Sequence, residues 1–170
     1  MASFLLNKNK EEILNKKLKV LVAMDSFKGS CSAFEAGEAC RKGILNVKED
    51  ACVVNIPISD GGEGLIQALE NPLKEDNFKK IEINVIGAYG ESTECNFMCN
   101  THSAVIEMAE CCGIYKYDRE NLDARNTTTY GLGQTVAYAL KQGIHFFKIG
   151  LGGSATNDGG AGFAQALGAK

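Results

Sequence analysis

The chain is short of the residues from which common metal and nucleic-acid sites are built. It has two histidines, and its seven cysteines, at 31, 40, 52, 95, 99, 111 and 112, include no C-x-x-C pair. That spacing disfavours a zinc site and the odd count disfavours a disulfide framework, so buried free thiols in a reducing compartment are expected. There is no basic excess. The formal net charge is -3, and lysine and arginine are dispersed except in KNK and NKKLK near the N-terminus, which excludes an electrostatic footprint for nucleic acid. No apolar run is long enough to span a bilayer. The first residues, MASFLLNKNKEEILNKK, have too short an apolar stretch for a signal peptide and carry Glu11 and Glu12, which transit peptides avoid. Residues 1–18 are expected to be a mobile leader on a cytoplasmic protein that binds neither membrane nor nucleic acid. Nothing in the sequence specifies an oligomeric state. The Walker A pattern is missing, as is G-x-G-x-x-G followed by a ribose acid, so any nucleotide site is of another type.

What is present suits a globular domain: 45% hydrophobic and 23% charged residues in 170, enough for a core. KVLVAMD (19–25) is a nearly continuous apolar run, as expected of a strand buried on both faces of a parallel sheet. Ser32 and Glu35 then stand at capping-box spacing before the helix pattern SAFEAGEACRKGIL. CVVNIPI (52–58), SDGGEG (59–64) and LIQALE form a second strand-turn-helix unit, its helix expected to break at Asn71-Pro72. In KIEINVIG (80–87) apolar residues alternate with polar ones, Cys95, Phe97 and Cys99 share a face, and AVIEMAE (104–110) reads as a third strand, so 80–110 is expected to be an antiparallel meander. TTTYGLGQTVAYALKQG offers a threonine cap and a C-terminal glycine, and HFFKIGLG a last buried strand. The expectation is an α/β fold, three-layered, with a mainly parallel sheet. A Rossmann-like domain would span 19–75 and 125–170, with 76–124 as a smaller inserted subdomain. A doubly wound sheet normally continues past one short helix, so the chain is expected to be the front part of something longer.

Ligands of open α/β sheets bind beyond the carboxyl ends of the strands, which selects DSFKGS (25–30), SDGGEG (59–64) and GGSATNDGG (152–160). Each joins glycine, which lets backbone amides approach a ligand, to an acid able to hold a cation or accept a proton. Lys28 could neutralise charge in phosphoryl transfer. Taken singly, each loop is equally a common connector: Asp60 and Asp158 suit helix caps, and Lys28 suits a solvated surface.

Together, MDSFKGS (24–30), IPISDGGEG (56–64), AVIEMAECCGI (104–114), RNTTTYGLG (125–133) and IGLGGSATNDGGAG (149–162) resemble the glycerate kinase family, in order and from about residue 19 onward. The resemblance implies a two-domain α/β fold with a cleft, and transfer of the ATP γ-phosphoryl to a glycerate hydroxyl with Mg²⁺. It assigns Asp25, Lys28 and Asp60 to catalysis. To the substrate it assigns Ser26, Ser30, Glu63, Arg125, Thr127, Thr128 and Thr129, with Arg125 gripping the carboxylate. Gly61, Gly62, Gly152, Gly153, Ser154, Thr156 and Asn157 would cradle phosphates, and Asp158 would touch metal. Glu107, also placed at the substrate, either points into the cleft or faces solvent on an edge. The alternative reading is an inactive member or fragment that binds a nucleotide, an anion or a partner without turnover.

Overall fold

The computed structural model describes residues 17–170, and the leader expected over 1–18 lies almost wholly outside them. Within them the chain is a mixed α/β protein with two sheets and five α-helices. Strands β1 (Lys19–Val22) and β2 (Cys52–Asn55) pair in parallel, Lys19 opposite Cys52, and helix α1 (Ala33–Val47) crosses between them. The capping box forms: the Glu35 amide donates to Ser32 Oγ at 3.2 Å and the Ser32 amide to Glu35 Oε2 at 2.9 Å. These strands are not buried on both faces as expected. Val22 is buried but Leu21 is 64% exposed, because among the described residues a helix covers one side only.

The second sheet runs β3 (Lys79–Ile86), β4 (Ser92–Cys99), β5 (Ser103–Glu107) and β6 (Phe146–Gly150). It is mixed rather than mainly parallel. The connections of residues 87–91 and 100–102 are too short for a crossover, so β3, β4 and β5 pair antiparallel; only β5 to β6, joined through helices, is parallel. Hydrogen bonds between β5 and β6 therefore run across the boundary expected at 124/125.

Helix α2 (Leu65–Glu75) continues through Pro72 instead of breaking before it. One missing amide in the last turns costs less than the packing of Leu65, Leu69, Leu73 and the following Phe78 on Met98 and Val105 stabilises, at about 1.5–3 kcal/mol per fully buried apolar side chain. On the opposite face lie Phe97, Ile106, Cys95 and Val85, packed by α3 (Met108–Cys112) and α4 (Tyr130–Lys141), with α5 (Ala161–Ala166) against α4. AVIEMAE is thus a strand only to Glu107, where α3 begins. Phe146 on the last strand, expected buried, is 71% exposed. Of the seven free cysteines, 95, 111 and 112 are buried as expected, whereas Cys40 and Cys52 are exposed. No helix of the described residues is long and apolar enough to cross a membrane.

Candidate active site

The loop of residues 59–64 and the strand end at 150–153 meet backbone to backbone. Gly152 donates to the Gly61 carbonyl at 3.0 Å, and a Cβ at Gly152 would stand 2.7 Å from Gly62 Cα. A Cβ at Gly150 would strike the Gly61 carbonyl. Gly61 and Gly64 both take φ +91°, the left-handed region open to glycine. Two amides of the turn are also used, Gly61 on Ser59 Oγ at 3.1 Å and Gly62 on Asp60 Oδ1 at 2.9 Å. Gly61, Gly62 and Gly152, expected as phosphate donors, thus have their amides engaged within the protein. What they supply is the close approach of two loops, and Gly153 joins them by accepting from the Ile114 amide at 2.8 Å.

Glu107 does not face solvent on an edge. It is 1% exposed at the end of β5, and its carboxylate accepts the Gly64 amide at 2.9 Å and the Ile66 amide at 3.0 Å. These are amides of the first turn of α2, which has no cap from its own loop, so a strand residue more than forty positions away caps it. Burial pushes the Glu107 carboxyl above its ordinary range against the pull of those two amides, and the charges of Glu110 and Glu63 add to the rise.

Glu107 also walls a cavity of about 620 Å³, which Ser26, Lys28 and Ser30 of the first loop and Glu63 of the second line from other sides. Lys28 Nζ stands 3.6 Å from Asp60 Oδ2, both exposed, an ion pair between the two loops, although Asp60, unlike Lys28, does not line the cavity. Asp25 does not line the cavity; its Oδ1 accepts the Ser26 amide at 2.6 Å, which shapes the loop from behind. Glu110 and Tyr115 also line the cavity. Burial raises the Tyr115 hydroxyl well above its ordinary pKa, and Glu110, Glu107 and Glu63 raise it further. Neither was expected from sequence. The strand assignment through Glu110 hid the i, i+3 spacing that α3 gives Glu107 and Glu110, and nothing around Tyr115 signalled a site.

A second cavity, about 450 Å³, opens on the other side of the same junction, at Met108. Its apolar wall includes Leu132, Ile149, Leu151 and Phe163, and Thr129, Ser154 and residues 156–160 supply polar groups. Asp158 does not stand free there. Its carboxylate accepts the amides of Thr129 at 2.8 Å, Gly160 at 3.1 Å and Gly162 at 3.0 Å, and the Thr129 hydroxyl at 2.9 Å. Burial pushes this carboxyl up, but those donors outweigh it and leave its pKa below the ordinary value. The anion at the start of α5 is therefore the protein's own, and the same carboxylate caps α4 at Thr129. The expected threonine cap works differently: Thr129 Oγ1 donates to Asp158 and accepts from Phe163 in α5 at 2.9 Å. Ser154 Oγ and Thr156 Oγ1 bond each other at 2.6 Å, and Ser154 Oγ accepts the Thr156 amide. Among the described residues, the successive amides of Asn157, Asp158 and Gly159 have no protein acceptor, and all three residues line the cavity.

Arg125 lies apart from both cavities. It is extended into solvent on a short 3-10 turn and forks onto Asp123, Nε to Oδ1 at 2.8 Å and Nη2 to Oδ2 at 2.9 Å. The grip expected of it on a substrate carboxylate is taken by a neighbour two residues away. Thr127 Oγ1 donates to the Ala124 carbonyl at 2.9 Å, and Thr128 Oγ1 accepts the Tyr130 amide at 3.2 Å, so both hydroxyls hold the turn into α4. Among the described residues no group of three or more His, Cys, Asp or Glu side chains is placed to hold a metal ion, and the Asp158 oxygens are committed to protein donors.

With these loops and cavities in view, the likeness to known proteins is specific. The Glycerate kinase family's sequence model matches residues 20–170. The chain is 42% identical over 155 residues to the glycerate kinase of Bacillus subtilis (strain 168), covering 90% of this chain and 40% of that protein. It is 39% identical over 155 residues to the glycerate 2-kinase of Escherichia coli (strain K12), with the same shares covered. A crystal structure of a candidate glycerate kinase 2 from Salmonella typhimurium LT2 superposes with a TM-score of 0.68 at 35% identity, covering 90% of this chain and 41% of that one. The chain thus spans about 40% of the length of these relatives. Matched through all three strand-end loops, it belongs to the glycerate kinase family.

Proposed function

We propose that this chain carries a glycerate kinase site, transferring the γ-phosphoryl of ATP to a hydroxyl of glycerate. The observation that carries the reading is the convergence of three strand-end loops on the Glu107–Met108 junction, with a cavity on either side of it. In this proposal the cavity at Met108 takes the nucleotide. Its apolar wall suits a base, and the three successive amides at 157–159 suit phosphate oxygens, with Ser154 and Thr156 beside them. The cavity at Glu107 takes glycerate. Lys28, held loosely by an exposed partner, is free to turn toward charge developing on the transferred phosphoryl. Asp60 and Glu63 are the acids closest in sequence to that work, and Asp25 acts on it through the fold of its own loop. The name of the E. coli relative points to the 2-hydroxyl as acceptor.

A second reading, a nucleotide-binding member without turnover, is favoured by one observation: Arg125 is engaged with Asp123, away from both cavities. One assay separates the two. The chain is incubated with ATP, Mg²⁺ and D-glycerate while ADP release is followed; the kinase reading expects glycerate-dependent turnover that Lys28→Ala abolishes. A soluble, folded chain with no glycerate-dependent ADP release overturns that reading. Thermal stabilisation by ATP alone would then support the binder.

A further inference from the structure

The interior carboxylate of Glu107 interrupts an apolar series: Ala104, Val105, Ile106, Met108 and Ala109 around it are all buried. Placing an acid there is costly unless donors meet it, and the two that do come from another element, the first turn of α2. Between those amides and the preceding strand lies the turn 59–64, whose Gly61 and Gly64 both sit in the left-handed region, where the backbone is least self-restrained. One anchor of this turn is the Gly152 amide on the Gly61 carbonyl, before Glu63; the other is Glu107, after it.

We propose that Glu107 is a positioning residue: by holding the Gly64 and Ile66 amides it fixes Glu63 at the wall of the cavity it shares with Lys28. Its consequence for turnover rests on the kinase reading, whereas the anchoring does not. Glu107 contributes through the turn, as a fixed acceptor at a strand end.

Glu107→Gln keeps the shape and replaces one acceptor oxygen by an amide donor, so one of the two backbone donors loses its partner. Amide hydrogen exchange, followed by NMR, is expected to quicken about tenfold or more at Gly64 and Ile66 and to stay unchanged between β5 and β6. Glycerate-dependent kcat is expected to fall about 10- to 100-fold while KM for glycerate stays within about threefold. Val136→Ala, on the buried face of α4, serves as a control of matched thermal stability and is expected to leave kcat unchanged. Should Glu107→Gln fail to fold, Glu107→Asp, one methylene shorter with both acceptors kept, is expected to show a smaller loosening at the same two amides. Unprotected Gly64 and Ile66 amides in the wild-type chain overturn the proposal. So does a Glu107→Gln variant with quickened exchange and wild-type kcat, or a fall in kcat matched by Val136→Ala. If the wild-type chain shows no turnover, the kinase reading fails and the exchange arm alone decides: protection lost in Glu107→Gln supports the anchor, and unchanged protection overturns it.

Discussion

At the start of α2 the anion is Glu107, brought from a strand more than forty residues away, 1% exposed and bound to two amides. At the start of α5 it is Asp158, from the loop that enters the helix, part-buried and bound to three amides and a hydroxyl. Both follow glycine-rich turns, yet their acidities move in opposite directions. Burial dominates at Glu107 and raises its carboxyl; the donors dominate at Asp158 and lower it. A helix N-terminus attracts negative charge in either case, and at both helix starts a carboxylate of the chain itself holds the backbone amides. The long-range cap ties two elements together, and the short-range one mainly finishes its own turn while borrowing the start of α4.

The largest effect separating the two should come from Glu107→Ala, which leaves the buried Ile66 amide and the part-buried Gly64 amide without an acceptor and opens a cavity. A loss of about 3 kcal/mol in urea unfolding is expected. Gly152→Ala attacks the opposite anchor of the same turn; its Cβ meets the Gly62 backbone at 2.7 Å, and a loss of about 2 kcal/mol is expected by the same measurement. Asp158→Asn retains part of the cap in a half-open site and should cost about 1 kcal/mol. The two carboxylates also give opposite pH slopes. Because the folded pKa of Glu107 lies above its unfolded value of 4.5, stability falls as pH rises from 4.5 through the raised value, and Glu107→Gln should flatten that segment. Because the folded pKa of Asp158 lies below its unfolded value of 3.8, its contribution is present above 3.8 and is lost as pH falls through the depressed value. Asp158→Asn should flatten that acid limb in thermal melts. The smallest effect belongs to Arg125→Ala. The Arg125–Asp123 fork lies in solvent, and the melting temperature is expected to move by about 1 °C or less.

The positions of the loops were legible in the sequence because each follows a compact apolar strand and precedes a helix signal. The Ser32–Glu35 capping box was legible for the same local reason: both partners lie within one turn. The apolar alternation at Ile81, Ile83 and Val85 placed those side chains on one face, which packs against the main core. The end of β5 was not legible, since AVIEMA is as apolar beyond Glu107 as before it, and only the packing of α3 on β4 turns the chain. Nor was the persistence of α2 through Pro72, because the apolar surface that rewards it belongs to Met98 and Val105 on other strands.

By itself, then, the sequence determined where the glycine turns, strands and most helices lie and which family motifs they carry, because hydrophobic period, turn residues and caps act over a few neighbouring positions. Tertiary structure alone decided which groups each loop has left to offer. The amides of Gly152, Gly64 and Gly162 are engaged by Gly61, Glu107 and Asp158, and Arg125 is held by Asp123. The physical reason is that a hydrogen-bond donor buried on folding takes whatever acceptor the packing brings to it, and for Gly64 and Gly152 that acceptor lies on an element remote in sequence.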